Sequence, residues 1–355
     1  MHLCAKRRQA YPPGQVVKQP KARAGFSSAR QVAELAGVSR SAVSRTFTPG
    51  ASVSEETRER VLDAADRLGY HVNHLARGLM RTTTGIVCVI ATDSDTPYQG
   101  RMLRALIQHL RDAGKVCMVF NTAGPAVDVG EALRNTLNYR ADATIVLSGT
   151  PSPTLIRTCM DSGQRMVLIN RDDRLGGAHN IGVDNETAAE AALHAFLRAG
   201  CRHPALVTSA AGTPSLLARE RAFIAAAGRE GLEVLVWREG RTGYETGAEG
   251  ARRLFAARQR PDAAFCVTDL IACGFLDAAR HEFGLAVPRD LCVIGFDDIE
   301  QAGWASYRLT TFAPPVEEIA TRAVEMAVTE PGADPADRDA VCHAPMVWRA
   351  TVRPG

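Results

Sequence analysis

The chain has 355 residues, with 42 Lys and Arg against 39 Asp and Glu and a net charge of +3 at pH 7. That is enough for several modest domains, and nothing reaches the roughly 18 uninterrupted apolar residues of a membrane-crossing helix, so no membrane partner is expected. Nine cysteines, from Cys4 to Cys342, include no C-x-x-C pair, which argues against both a disulfide framework and a zinc site.

The small total charge hides a split. Residues 1–81 carry 14 basic and 6 acidic side chains, and the remainder carries 28 basic and 33 acidic. A basic head on an acidic body is the footprint of phosphate contacts, although basic surface helices also arise for solubility. Residues 1–25 place Lys6, Arg7, Arg8, Lys18, Lys21 and Arg23 among prolines with no helical period, which predicts a disordered arm. No apolar core follows its basic start, so it does not read as a secretory signal, and a cytoplasmic location is expected.

Residues 26–71 read as an all-α domain. Ala29 to Leu35 can form a helix with Val32, Leu35 and Ala36 on one side, and Gly37 permits a tight turn. Ser39 is a good cap for a second helix, in which Ser41 and Arg45 fall roughly 160° from Val43, so that burying Val43 turns them outward. A third helix is capped by Ser54, begun by Glu55 and Glu56 at its positive end, striped by Val61, Ala65 and Leu68, and closed by Gly69. This is a helix-turn-helix pattern, and an ordinary three-helix surface subdomain would share it.

Three segments in order, AGVSRSAVSR, VSEETRERVLDAADRLGY and NHLARGLMR, resemble the LacI/GalR family of transcriptional regulators. The resemblance implies that the second helix reads operator DNA, with Arg40, Ser41, Ser44 and Arg45 at the contact positions. It further implies that residues 72–84 are a hinge and linker, in which Asn73, Ala76 and Leu79 meet DNA and Leu79 is a wedge that kinks the minor groove. The spacing of Leu75 and Leu79 by itself fits equally well the apolar side of a linker helix.

From residue 85 onward the pattern changes to short apolar runs alternating with amphipathic ones. GIVCVIA, VCMVFN, ATIVLS and RMVLIN predict strands at 85–91, 116–121, 143–148 and 165–170, and PALVTS, EVLVW, AAFCV and LCVIGF repeat the rhythm between 204 and 296. Two βα series predict two doubly wound α/β lobes with parallel sheets, and the resemblance implies that they comprise 85–183 plus 313–335 and 184–312 plus 336–355. The cleft between the lobes is the expected ligand site. The resemblance gives the same fold, a periplasmic-binding-protein-like effector domain, and implies a homodimer controlled by a small molecule. Carried over by position, it names Asn170, Arg171, Arg219 and Asp269 as effector contacts. Thr242 stands where many members place a stacking aromatic, and Thr96, Pro97 and Tyr98 replace the usual Asn-Pro-Phe. A basic, hydroxylated wall suits a sugar or sugar acid.

Catalysis is the competing class. No nucleophile elbow, P-loop, H-E-x-x-H or dinucleotide fingerprint is present, so no catalytic residue, cofactor or metal is expected. Asp297 and Asp298 could suggest an acidic pair, but the resemblance makes their loop structural. A solute-binding protein would share the two lobes and lack the basic head. The end at WRATVRPG carries no heptad extension, so no tetramerising tail is expected.

Overall fold

The computed structural model describes residues 27–48, 50–71, 83–92, 96–122, 129–149, 151–170, 177–329 and 339–354. The expected arm at 1–25, the hinge positions Asn73, Ala76 and Leu79, and Arg171 lie outside the described residues. The chain divides into two units, residues 1–81 and 82–355.

In the first unit, α1 (Ala29–Ala36), α2 (Arg40–Thr46) and α3 (Glu55–Leu68) follow the cap signals. Ser28 and Gln31 form a reciprocal capping box on α1, Ser39 accepts the Ala42 N–H at 3.2 Å, and Ser54 accepts the Thr57 N–H at 3.4 Å. Gly37 closes α1 at φ 64°, a left-handed conformation that favours glycine. Val32, Val43 and Val61 meet with Ala33, Ala36, Ala64 and Ala65 to form the core, and Phe47 packs on Tyr70 at 5.7 Å. Leu35 is 44% exposed, contrary to the expected stripe. The buried arc is centred between Val32, Ala33 and Ala36, and Leu35 falls outside it.

The second unit holds two parallel sheets. The first contains β1 (Ile86–Ala91), β2 (Val116–Asn121), β3 (Ala143–Val146), β4 (Arg165–Ile169), β5 (His179–Val183) and β11 (Asp339–Cys342), in the order β11-β5-β4-β3-β1-β2. The second contains β6 (Pro204–Thr208), β7 (Leu235–Arg238), β8 (Ala263–Cys266) and β9 (Cys292–Ile294), in the order β7-β6-β8-β9. In each, the first strand lies inside and its successors run both ways, so both sheets have a topological switch point at their carboxyl edge.

The crossover helices are α4 (Pro97–Asp112), α5 (Val129–Asn138) and α6 (Pro153–Asp161) on the first lobe. On the second lobe they are α7 (Asn185–Arg198), α8 (Pro214–Arg229), α9 (Tyr244–Ala256) and α10 (Asp269–His281). A short α11 (Glu300–Gly303) precedes β10 (Thr311–Phe312), which pairs antiparallel with β12 (Met346–Val347). Between them α12 (Val316–Val328) returns to the first lobe beside α4. α9 and α10 approach unusually closely, because a Cβ on Gly247 would run into the Ile271 carbonyl and one on Gly274 into the Tyr244 carbonyl.

One boundary is corrected. Residues 339–342, expected in the second lobe, run parallel to β5 and extend the first lobe's sheet, with Asp339 to Cys342 in register with Asn180 to Val183. β5 would otherwise be an open edge, and Ala340 and Cys342 bury their side chains there while Val341 points outward.

Candidate functional site

In the head, burial of Val43 and Thr46 fixes the rotation of α2. Arg40, Ser41, Ser44 and Arg45 are all exposed, and for Ser41 and Arg45 the angular placement opposite Val43 requires it. Ser41 Oγ lies 2.8 Å from Ser39 Oγ, and Arg45 Nε makes a long 3.4 Å bond to the Ser41 carbonyl. The end of Arg45 is therefore weakly held. Behind this face, Arg60 donates to the Ala36 and Gly37 carbonyls at the end of α1, and Arg58 donates to the Thr46 carbonyl at 3.2 Å. These two arginines brace the turn and the end of α2 from α3, a role the sequence reading missed.

In the second unit a cleft with a cavity volume of about 130 Å³ opens where strand ends of both sheets meet. Thr92 follows β1, Ser148 follows β3, Asn170 follows β4, Thr242 follows β7, Thr268 follows β8 and Asp297 follows β9, and all line it. Thr96 and Thr213 stand at the N-termini of α4 and α8, each followed by proline, and neither side chain caps its own helix. Two 16-residue helices, one from each lobe, thus aim uncapped positive ends into the cleft.

Arg219 forms the floor. It is 4% exposed, donates from Nε to Asn185 Oδ1 at 2.9 Å and from Nη1 to the Val267 carbonyl at 2.7 Å, and lies 3.3 Å above the centre of the Phe296 ring. Phe296 stacks in turn on Phe312, which meets Phe265 edge-on, so an aromatic column carries the guanidinium up from the core. Burial lowers the Arg219 pKa, against the opposing pull of Asp297, Tyr98 and Asp269. Burial likewise pushes the Asp297 carboxyl well above the usual carboxylate range, despite Arg219. It pushes the Tyr98 hydroxyl, with Asn170 beside it, up to about 12.

Asn170 and Arg219 reach the cleft. The Asn170 backbone is left-handed at φ 57°, and its Oδ1 is buried without a hydrogen-bond partner, as is Gln99 Oε1, which also lines the cleft. Unpaired buried acceptors lining a cavity are what a hydroxylated ligand would satisfy.

Asp269 does not line the cleft. It is fully buried, accepting from Thr311 Oγ1 at 2.5 Å and from the Ile299 N–H at 2.9 Å. Gly295 makes room for it, since a Cβ there would strike Asp269 Oδ1. The carboxylate that faces the cavity is Asp297, which the sequence reading had set aside as structural. Relative to the cleft, the two carboxylates are placed the other way round from the sequence expectation.

The buried state of Asp269 has a measurable consequence. Burial raises its pKa from the ordinary 3.8 to about 7, outweighing the two hydrogen bonds that favour its charged form. A raised folded-state value means that protonation favours folding, so this contribution is complete below about pH 4 and is lost as pH rises through about 7. About three pH units correspond to ~4 kcal/mol. Urea unfolding at pH 5 and pH 8 is expected to show the decline in the natural protein and a shallower one in Asp269→Asn. Identical pH slopes for the two proteins would exclude this role.

Residues 29–73 match the family model described as bacterial regulatory proteins, lacI family, and residues 193–352 match a periplasmic binding protein-like domain. The chain is similar to the HTH-type transcriptional regulator GalS of Salmonella typhimurium (strain LT2), at 30% identity over 302 residues, covering 84% of this chain and 88% of that one. It is similar to the HTH-type transcriptional regulator AscG of Escherichia coli (strain K12), at 29% identity over 297 residues, covering 81% and 87%. The lac repressor dimer bound to operator and the anti-inducer ONPF shares the fold with a TM-score of 0.82 at 20% identity, covering 92% of this chain and 99% of that chain.

Proposed function

The chain belongs to the lacI family of bacterial regulatory proteins, and on that premise we propose that it is an operator-binding transcriptional repressor whose DNA affinity is set by a small molecule in the cleft. The observation that carries the DNA reading is the outward face of α2, where four polar side chains stand exposed on a helix fixed from behind by Val43 and Thr46. Arg40, Ser41, Ser44 and Arg45 contact one half-site, and Asn73, Ala76 and Leu79 act at the minor groove between half-sites.

A homodimer supplies the second half-site. Supporting this, β2 is the free edge of the first sheet and leaves Val116 and Val119 exposed, with Ile107 exposed on α4. Selection of sites from random duplex DNA by the purified protein tests the reading. It predicts a near-palindrome whose half-sites are roughly one helical turn apart, and no enriched motif, or an unrepeated single half-site, would overturn it.

For the effector we propose a polyhydroxylated carboxylate, a sugar acid such as gluconate. Arg219 and the two helix N-termini supply positive potential, while burial disfavours the charge of Asp297. Thr92, Ser148, Thr242 and the unpaired Asn170 and Gln99 oxygens suit several hydroxyls. The family resemblance adds Arg171 as a further effector contact. No aromatic occupies position 242 to stack on a neutral ring.

A further inference from the structure

We infer that Arg101 is a latch from the first lobe that positions the effector-facing turn of the second, so that the shape of the ligand wall depends on how the lobes meet. This rests on the cleft being the effector site.

Arg101 lies on α4, one turn beyond the cleft residue Tyr98. Its Nη1 donates to the Asp298 carbonyl at 2.8 Å and its Nη2 to the Asp297 carbonyl at 3.1 Å, across nearly 200 residues of chain. Those two residues are the adjoining left-handed pair of the turn, at φ 119° for Asp297 and 47° for Asp298. Non-glycine residues hold such conformations only where the surroundings impose them. Other restraints on the turn come from residues beyond the first lobe's sheet: the Asp297 N–H donates to the Phe312 carbonyl at 2.9 Å, the Ile299 N–H to Asp269, and Arg349 holds Asp298 Oδ1 at 2.6 Å.

The guanidinium geometry explains the residue type. A planar fork can reach two successive carbonyls at once, whereas an ammonium offers a single point of donation. The bonds go to backbone, so they fix the path of the turn and leave the Asp297 carboxylate free for the cleft. A ligand that needs Asp297 in this position favours the latched arrangement, and the latched arrangement favours that ligand to the same extent. Arg101 acts through Asp297 and is a positioning residue.

The test is hydrogen exchange on the full-length protein without ligand, read on a peptide spanning 296–302. Arg101→Ala is expected to raise exchange at the Asp297 and Ile299 amides by about tenfold, with peptides from α1 to α3 and from α7 unchanged. Arg101→Lys is expected to fall between. In parallel, D-gluconate affinity is expected to drop about tenfold in Arg101→Ala while ligand-free operator affinity is retained. Wild-type exchange across 296–302 in Arg101→Ala would overturn the latch. Should that variant loosen the whole second unit, Arg101→Gln, with a donor for one carbonyl, decides by the same peptide. Failure of gluconate to bind the natural protein would sink the ligand reading alone, and the exchange measurement would still decide the latch.

Discussion

Arg219→Met is expected to abolish the response of operator binding to effector while leaving a folded, DNA-competent protein. The substitution fills a similar volume, yet it leaves Asn185 Oδ1 and the Val267 carbonyl without their donor and Asp297 with only the weaker influence of Arg101. Loss of one partner from a buried charged cluster costs roughly 3 to 5 kcal/mol, within the stability of a unit this size. Part of that cost is relieved because the Asp297 carboxyl, already raised by burial, takes up a proton. For a carboxylate ligand held by the fork, affinity should fall about 100-fold, or ~3 kcal/mol. Arg219→Lys keeps the charge and loses the fork, and so should recover only part of it. Calorimetric titration checks the binding, and full effector response in Arg219→Met would remove this residue from the site.

Arg45→Ala carries the largest expected effect on DNA. The side chain is exposed and makes one long bond to the Ser41 carbonyl, so folding stability should change by less than about 0.5 kcal/mol. A bidentate guanine contact is worth roughly 1 to 3 kcal/mol, and two half-sites double it, giving roughly 30-fold to 10⁴-fold weaker operator binding. The pattern matters more than the size. A base contact relaxes preference at one position of each half-site, whereas a phosphate contact weakens all sequences alike and lowers the salt slope by about one. Anisotropy titrations of the selected operator and of single-position variants distinguish them. Unaltered selectivity at every position would exclude Arg45 from base reading.

Much of the head was legible because its signals are local. Ser39, Ser54, Gly37 and Gly69 cap or close the helices in which they were placed. Leu35 failed because a stripe of small residues leaves the rotation of a short helix undecided until its neighbours pack. In the body, the apolar runs located the major strands to within a few residues, since buried parallel strands need continuous hydrophobic side chains. β11 escaped because DAVC is short and only alternate side chains are buried, so its sheet membership depends on β5 alone.

The exchanged placements of Asp269 and Asp297 mark where sequence reasoning stops. Both follow apolar strand ends and either could face a ligand. What decides is tertiary: Thr311 and the Ile299 N–H engage Asp269, the missing Cβ of Gly295 lets it sink, and the left-handed turn lifts Asp297 to the cavity. The φ of 119° at Asp297 has no signature in residue type, unlike the glycines at 37 and 69.

The most direct test is the affinity of the purified protein for its selected operator at fixed salt, measured with D-gluconate and with D-glucose. Gluconate is expected to change that affinity by about tenfold or more and glucose to leave it unchanged. An operator affinity indifferent to both, or responsive to glucose alone, would contradict a repressor governed by an anionic ligand above Arg219.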